Sequence, residues 1–240
     1  MENMISPDGN LRNARGRRLV IFEGIMGSGK SSSTRWLGQR LMAQGIGASI
    51  HTERQSPHPL RATDSAADWF KPWLDMTAQD LASRRLALWA KFAEEALASQ
   101  VVRVVDGQLF HGDLTNMFLM NMPLDAIAQN VRDLVEVIRP LNPLIVYFHQ
   151  ADVDQAIRLT AAERGDELGV RYQVDWKLKF DYAVERGLEG LEGLSRLYVD
   201  YRTLTDQLFA QLTVDRIAIE NSRRDWPAYY TRIEHAFAGA

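Results

Sequence analysis

The chain has 240 residues, a formal net charge of -3, and apolar and charged fractions of 46% and 25%, ordinary for a globular protein able to bury a substantial core. The weakly acidic balance supplies no basic field for nucleic acid, and the absence of cysteine excludes disulfides, thiolate metal sites and a cysteine nucleophile. No apolar run approaches the ~20 residues that a membrane span needs, so the expectation is a cytoplasmic protein with a small-molecule partner, no nucleic acid and no membrane, with self-association into a homodimer left open.

Residues 1–17 are polar and rich in Gly, Asn and Arg, which predicts a flexible tail ahead of one domain over 18–240. The apolar run Leu19-Val20-Ile21-Phe22-Glu23 reads as a buried strand and leads directly into Gly24-Ile25-Met26-Gly27-Ser28-Gly29-Lys30-Ser31. This is the spacing G-x-x-x-x-G-K-S of a phosphate loop, and the helix-compatible segment 32–44 follows it as the motif requires. Gly24, Gly27 and Gly29 let the backbone come close to phosphate, and Ser28 and Ser32 belong to the same cradle of inward-pointing N–H groups. Lys30 suits the β- and γ-phosphates of ATP, and the Ser31 hydroxyl suits a Mg²⁺ that keeps most of its waters.

Gly45 and Gly47 end the helix before a second strand at 48–52, which delivers Glu53 and then a loop broken by Pro57 and Pro59. A long amphipathic helix is predicted over 77–99, with Thr77 and Asp80 spaced as a capping box. Val101-Val102-Arg103-Val104-Val105 reads as a third strand that presents Asp106 and Gly107 at its C-terminal end, the edge of a parallel sheet where ligands bind. Helices are expected at 114–120 and 123–139, then a fourth strand at 143–149 and a helix capped by Asp152 or Asp154. The stretch 164–171 has the composition of a polar flap, and 187–193 that of a second glycine loop. A helix at 195–212, a strand at 216–220 and a helix from Asp225 or Pro227 close the chain. Strands alternating with helices predict an α/β fold: a doubly wound, five-stranded parallel sheet with a helical lid at about 160–193.

The rest of the sequence narrows the class. No Asn-Lys-x-Asp segment is present to read guanine, no Leu-Ser-Gly-Gly-Gln segment marks a transporter ATPase, and Asp106 is followed by Gly107 and not by Glu. On Phe22-Glu23-Gly24, Thr52-Glu53, Asp106, the strand 142–147 with the segment 152–158, and Asp225-Trp226, the chain resembles the thymidylate kinase and deoxynucleoside kinase group. A closer likeness, carried by His58-Pro59 and Trp89-x-x-Phe92, is to a bacterial branch of P-loop proteins that implies no particular substrate. The chain departs from the group where Glu53 is followed by Arg54 and not Pro, and where Gly107 stands in place of an Arg.

The resemblance implies a phosphotransferase that uses ATP and Mg²⁺ and a nucleoside-, nucleotide- or antibiotic-like acceptor. It makes Glu53 the group that orients or deprotonates the acceptor and Asp106 the metal-water contact or alternative base. Lid arginines Arg158, Arg164 and Arg171 would compensate charge on the moving phosphoryl group. His58 is a candidate to face the acceptor, and Trp69, Phe70, Trp73, Trp89 and Phe92 are candidates either for an acceptor pocket or for core. The base is expected near the loop 220–224. An NTP-hydrolysing regulator and a nucleotide-binding module with little turnover remain alternatives.

Overall fold

The computed structural model describes residues 11–13, 15–68, 71–168 and 170–239, with the side chains of 164–168, 170 and 172 outside that description. Five strands, β1 (Leu19–Glu23), β2 (Ala48–His51), β3 (Val102–Asp106), β4 (Leu144–His149) and β5 (Asp215–Glu220), form one sheet in the order β2-β3-β1-β4-β5. Every pairing is parallel, and helices cover both faces. The arrangement is compatible with a P-loop NTPase fold.

The central strand explains the two-sided core. All five residues of β1 are buried, and alternate side chains leave by opposite faces. Leu19 and Ile21 join Val105, Ile145 and Tyr147 beneath α2 (Ala78–Leu97), α4 (Leu124–Ile138) and α8 (Gly190–Gln211). Val20 and Phe22 join Val104, Val146 and Phe148 beneath α1 (Lys30–Ala43) and α9 (Trp226–Ala238), whose Leu37, Leu41, Ile233 and Phe237 complete that layer. At the end of the same strand Glu23 falls in phase with Leu19 and Ile21, so a carboxyl is carried into the interior by the pleat alone.

The predicted start of the long helix is found: Thr77 and Asp80 form a capping box, with reciprocal bonds of 3.1 Å and 2.8 Å to each other's backbone N–H. Asp152 likewise accepts from Gln155 N at 2.9 Å ahead of α5 (Val153–Leu168).

Two expectations change. The segment expected as a polar flap at 164–171 is helical on both sides of residue 169, in α5 and α6 (Val170–Lys177). Its Glu, Arg and Leu residues are helix formers, and one interior glycine costs only about 1 kcal/mol, less than neighbouring packing supplies. The second glycine loop is shorter than expected, because α8 begins at Gly190 and follows α7 (Asp181–Glu185) closely. The short α3 (Asp113–Leu119) lies between β3 and α4.

The stretch just before β1 is fastened, although its composition predicts a loose tail. Arg17 is 1% exposed and donates to the Phe237 and Ala236 carbonyls at 3.0 and 2.9 Å and to Asp215 at 2.7 Å. Leu11 is also buried, beside the layer under α9. A guanidinium with that many acceptors tolerates burial, and it ties the start of the sheet to the last helix. Among the described residues, no helix is long and apolar enough to cross a membrane.

Candidate functional site

The loop 24–31 leaves the C-terminal end of β1 and turns into the N-terminus of α1. Gly29 is the N-cap of that helix in a left-handed conformation, φ 90°, and any side chain there would collide with the ring of Trp226. A side chain on Gly27, at φ 78°, would collide with Thr160 of α5. These glycines therefore allow both the backbone path and the close approach of α9 and the lid to the loop. Lys30 is 6% exposed, and its Nζ donates to Ile25 O at 3.1 Å, back across its own loop. Ser28 is buried with an unpartnered Oγ, Ser31 is half-buried at the second position of α1, and Ser32 is exposed next to it.

The sheet brings the two predicted carboxylates together. Val105 pairs with His51 and Asp106 pairs with Phe22, so Asp106 ends its strand beside the start of the loop. Asp106 is 1% exposed; its Oδ2 accepts from Glu53 N at 3.4 Å, and its Oδ1 has no hydrogen-bond partner. A carboxylate oxygen without a hydrogen-bond partner at the end of a parallel strand could take a contact to Mg²⁺ or its water, as a metal that keeps waters and phosphate ligands requires. No group of three or more acidic or histidine side chains able to hold a metal by themselves occurs among the described residues, so any ion here needs ligand oxygens.

Glu53 faces a partner that sequence reading did not single out. His111 Nε2 donates to its Oε1 at 3.1 Å, which the strand-to-helix loop after β3 makes possible. Burial would raise the Glu53 carboxyl, but His111, Lys30 and Lys177 outweigh it and hold it well below the usual carboxylate range. Lys177 is the second residue missed. It ends α6, is 2% exposed, and sits 4.9 Å above the Trp176 ring and 5.2 Å from that of Tyr198. Burial pushes its amine down to about 7, with Lys30 adding repulsion and Glu53 opposing. It has no ion pair or hydrogen bond among the described residues. Glu23, fully buried, accepts from Leu109 N at 2.7 Å, and burial raises it to about 7, against the pull of the Phe110 N–H and Lys30.

Arginines on this side are already engaged. Arg85 is fully buried and donates to the carbonyls of Leu109 at 2.6 Å and Gln108 at 3.2 Å, and to Asn130. Arg61 donates to the carbonyls of Glu53 and Gln55 at 2.6 and 2.8 Å and pairs with Asp64. Together they hold the two loops that carry Glu53 and His111.

Of the lid arginines, Arg158 is exposed and donates to Asp154 at 2.8 Å within its own helix, directed to no group of the loop or of the strand ends. Arg171 is exposed as well, and the Arg164 side chain lies outside the described residues. His58 is 4% exposed, its Nδ1 accepts from Leu60 N at 3.1 Å, and its Nε2 is unpartnered; burial pushes it down to about 4, so it is neutral. Trp89 and Phe92 are core residues, Trp73 packs on Phe180 with ring centroids 4.1 Å apart, and Trp69 and Phe70 lie outside the described residues. Compared with protein-family models and with curated proteins, the chain matches none.

Proposed function

We propose that the protein is an ATP- and Mg²⁺-dependent kinase that transfers the γ-phosphoryl group to a hydroxyl of a small acceptor. The observation that carries this reading is the placement of Glu53 and Asp106 just past adjoining strand ends, where Glu53 N donates to Asp106 at 3.4 Å and the Glu53 carboxylate feels the charge of Lys30. Mg²⁺ held by Ser31 and by Asp106, directly or through water, would neutralise charge on the β- and γ-phosphates.

The loop amides and Lys30 grip the donor, and Glu53 aligns the acceptor hydroxyl with the γ-phosphorus. A carboxylate held this acidic is a weak base. Its main work is orientation, and it takes the hydroxyl proton as the new P–O bond forms and the bond to the β-phosphate oxygen breaks. Lys177, and not Arg158, is the lid cation suited to the moving phosphoryl group, because it is desolvated and rests on two aromatic rings with no ion pair among the described residues. Arg85 and Arg61 are occupied with backbone carbonyls, which favours an acceptor bearing hydroxyls over one bearing a phosphate.

The test is ADP release from Mg²⁺-ATP with nucleosides, nucleoside monophosphates and hydroxylated antibiotics as acceptors, with product mass read in parallel. Acceptor-dependent ADP together with a phosphorylated product supports the reading. ADP release that no acceptor changes, or no ADP at all, overturns it.

A further inference from the structure

Glu53 sits on a scaffold that fixes everything but one of its oxygens. Its backbone is gripped from both sides, the N–H by Asp106 at 3.4 Å and the carbonyl by Arg61 at 2.6 Å. Oε1 receives the Nε2–H of His111 at 3.1 Å, while Oε2 makes no hydrogen bond among the described residues and the side chain is 45% exposed.

His111 is fixed from behind. Each of the three residues ahead of it is tied through its backbone: Arg85 donates to Gln108 O at 3.2 Å and to Leu109 O at 2.6 Å, Leu109 N donates to Glu23 at 2.7 Å, and the Tyr201 hydroxyl donates to Phe110 O. Gly107 leaves the room. It turns in the left-handed region at φ 74°, and a Cβ there would sit 3.1 Å from His111 Cβ. The glycine that stands in place of an arginine is thus what lets the histidine close on Glu53.

An ionised carboxylate only accepts, so Nε2 carries the hydrogen and the ring gains its charge at Nδ1. Burial pushes the ring below its ordinary value; Glu53 opposes this, and Lys30 of α1 and Lys177 of α6 add to it, so the ring is neutral near pH 7. A neutral donor orients the carboxylate and leaves it able to take a proton, whereas a charged one favours the ionised form. The downward pull of His111 on Glu53 is therefore greatest in acid and relaxes as the ring loses its charge.

We infer that His111 is a positioning residue of phosphoryl transfer: its Nε2–H pins Oε1 of Glu53, leaves Oε2 to the acceptor hydroxyl, and weakens Glu53 as a base when the ring is charged. The inference rests on the proposed function, because Glu53 has a proton to take only where an acceptor hydroxyl arrives. In that step the proton passes to Oε2 as the acceptor oxygen bonds to the γ-phosphorus, and the bond to the bridging oxygen breaks with its electron pair leaving on ADP.

Two measurements on the full chain test it. Histidine ring signals followed by NMR across pH, assigned with His111→Gln, should place the His111 midpoint about one pH unit or more lower in Glu53→Gln than in the wild type. An unmoved midpoint overturns the inference, whatever the turnover. The second measurement is kcat with Mg²⁺-ATP and the panel of nucleosides, nucleoside monophosphates and hydroxylated antibiotics. His111→Ala should lose about ten-fold in kcat at pH 8 with ATP affinity within about two-fold. His111→Gln keeps a donor without a charge, so it should stay within about three-fold of wild type at pH 8 and lose the decline that the wild type shows as pH falls below about 6. The same acid decline in His111→Gln, or a folded His111→Ala chain with wild-type kcat, overturns the inference. If no acceptor yields ADP with the wild type, the kinase reading falls and this role with it, an outcome that the NMR midpoint separates from failure of the His111–Glu53 pair alone.

Discussion

The two flanks of the glycine loop are built on opposite physical plans. On the β3 side, Glu23, Glu53, Asp106, His111, Lys30 and Lys177 crowd ionisable groups into partly or fully dry surroundings, and several are displaced far from their ordinary protonation behaviour. On the β5 side, Gln150 and Asn221 carry no charge and are held by directed hydrogen bonds to backbone. Charges packed this way respond to a ligand by changing protonation and interaction strength, whereas amides locked this way discriminate shape and bonding pattern.

Lys30→Ala removes the charge of the glycine loop itself and should give the largest loss, about 1,000-fold in turnover. Its single bond to Ile25 O predicts a stability cost of only about 1 kcal/mol, read from chemical denaturation. Turnover within a few-fold of wild type would sink the mechanism. Glu53→Gln keeps the shape of the carboxylate flank and removes its charge, and turnover should fall about 100-fold with ATP affinity nearly unchanged. Equal loss of affinity and rate would move Glu53 to the nucleotide side.

Lys177→Met sharpens the comparison through pH. The free amine titrates near 7, so kcat/KM for ATP should decline as pH rises through that value in the wild-type chain and lose that decline in the variant, with a rate loss of about ten-fold below it. The stability effect has a definite sign. The folded pKa of about 7 lies below the ordinary 10.5, so between those values the unfolded chain holds a proton that the folded chain has released. Wild-type stability therefore gains on that of the variant as pH rises across this window, and a gap that widens in the variant's favour would contradict the buried amine. The smallest effect is expected at Arg158→Ala, under about two-fold in turnover, because that exposed side chain serves only an intrahelical pair with Asp154. A loss of 100-fold would restore Arg158 as the lid cation.

Legibility differed between the same two flanks. The loop and its strand and helix were readable because all their requirements are local: an apolar run, glycines at set spacing and a helix start within a dozen residues. Glu53 and Asp106 could be picked out because a carboxylate at the end of a predicted parallel strand falls on the ligand edge wherever the strand ends up. His111 and Lys177 carried no such signal. A lone histidine before a glycine and a lysine between two hydrophobic residues look like many others. A lysine flanked by Trp176 in a lid was the one available hint, and the flap expected nearby hid it by drawing attention to arginines.

What the residues alone determined was the architecture and the loop: five strands, their alternation with helices, the capping of α2, and the glycine-rich turn between β1 and α1. These depend on periodicity and on contacts only a few positions apart, which a single chain displays directly. Only the tertiary structure decided that Lys177 comes within electrostatic reach of Glu53, that Arg17 closes onto the last helix, and that Asn221 bridges Ser28 and Gln150. Each of those pairings joins segments 71 or more residues apart. Their geometry is set by how helices seat on a twisted sheet, and no local pattern encodes it.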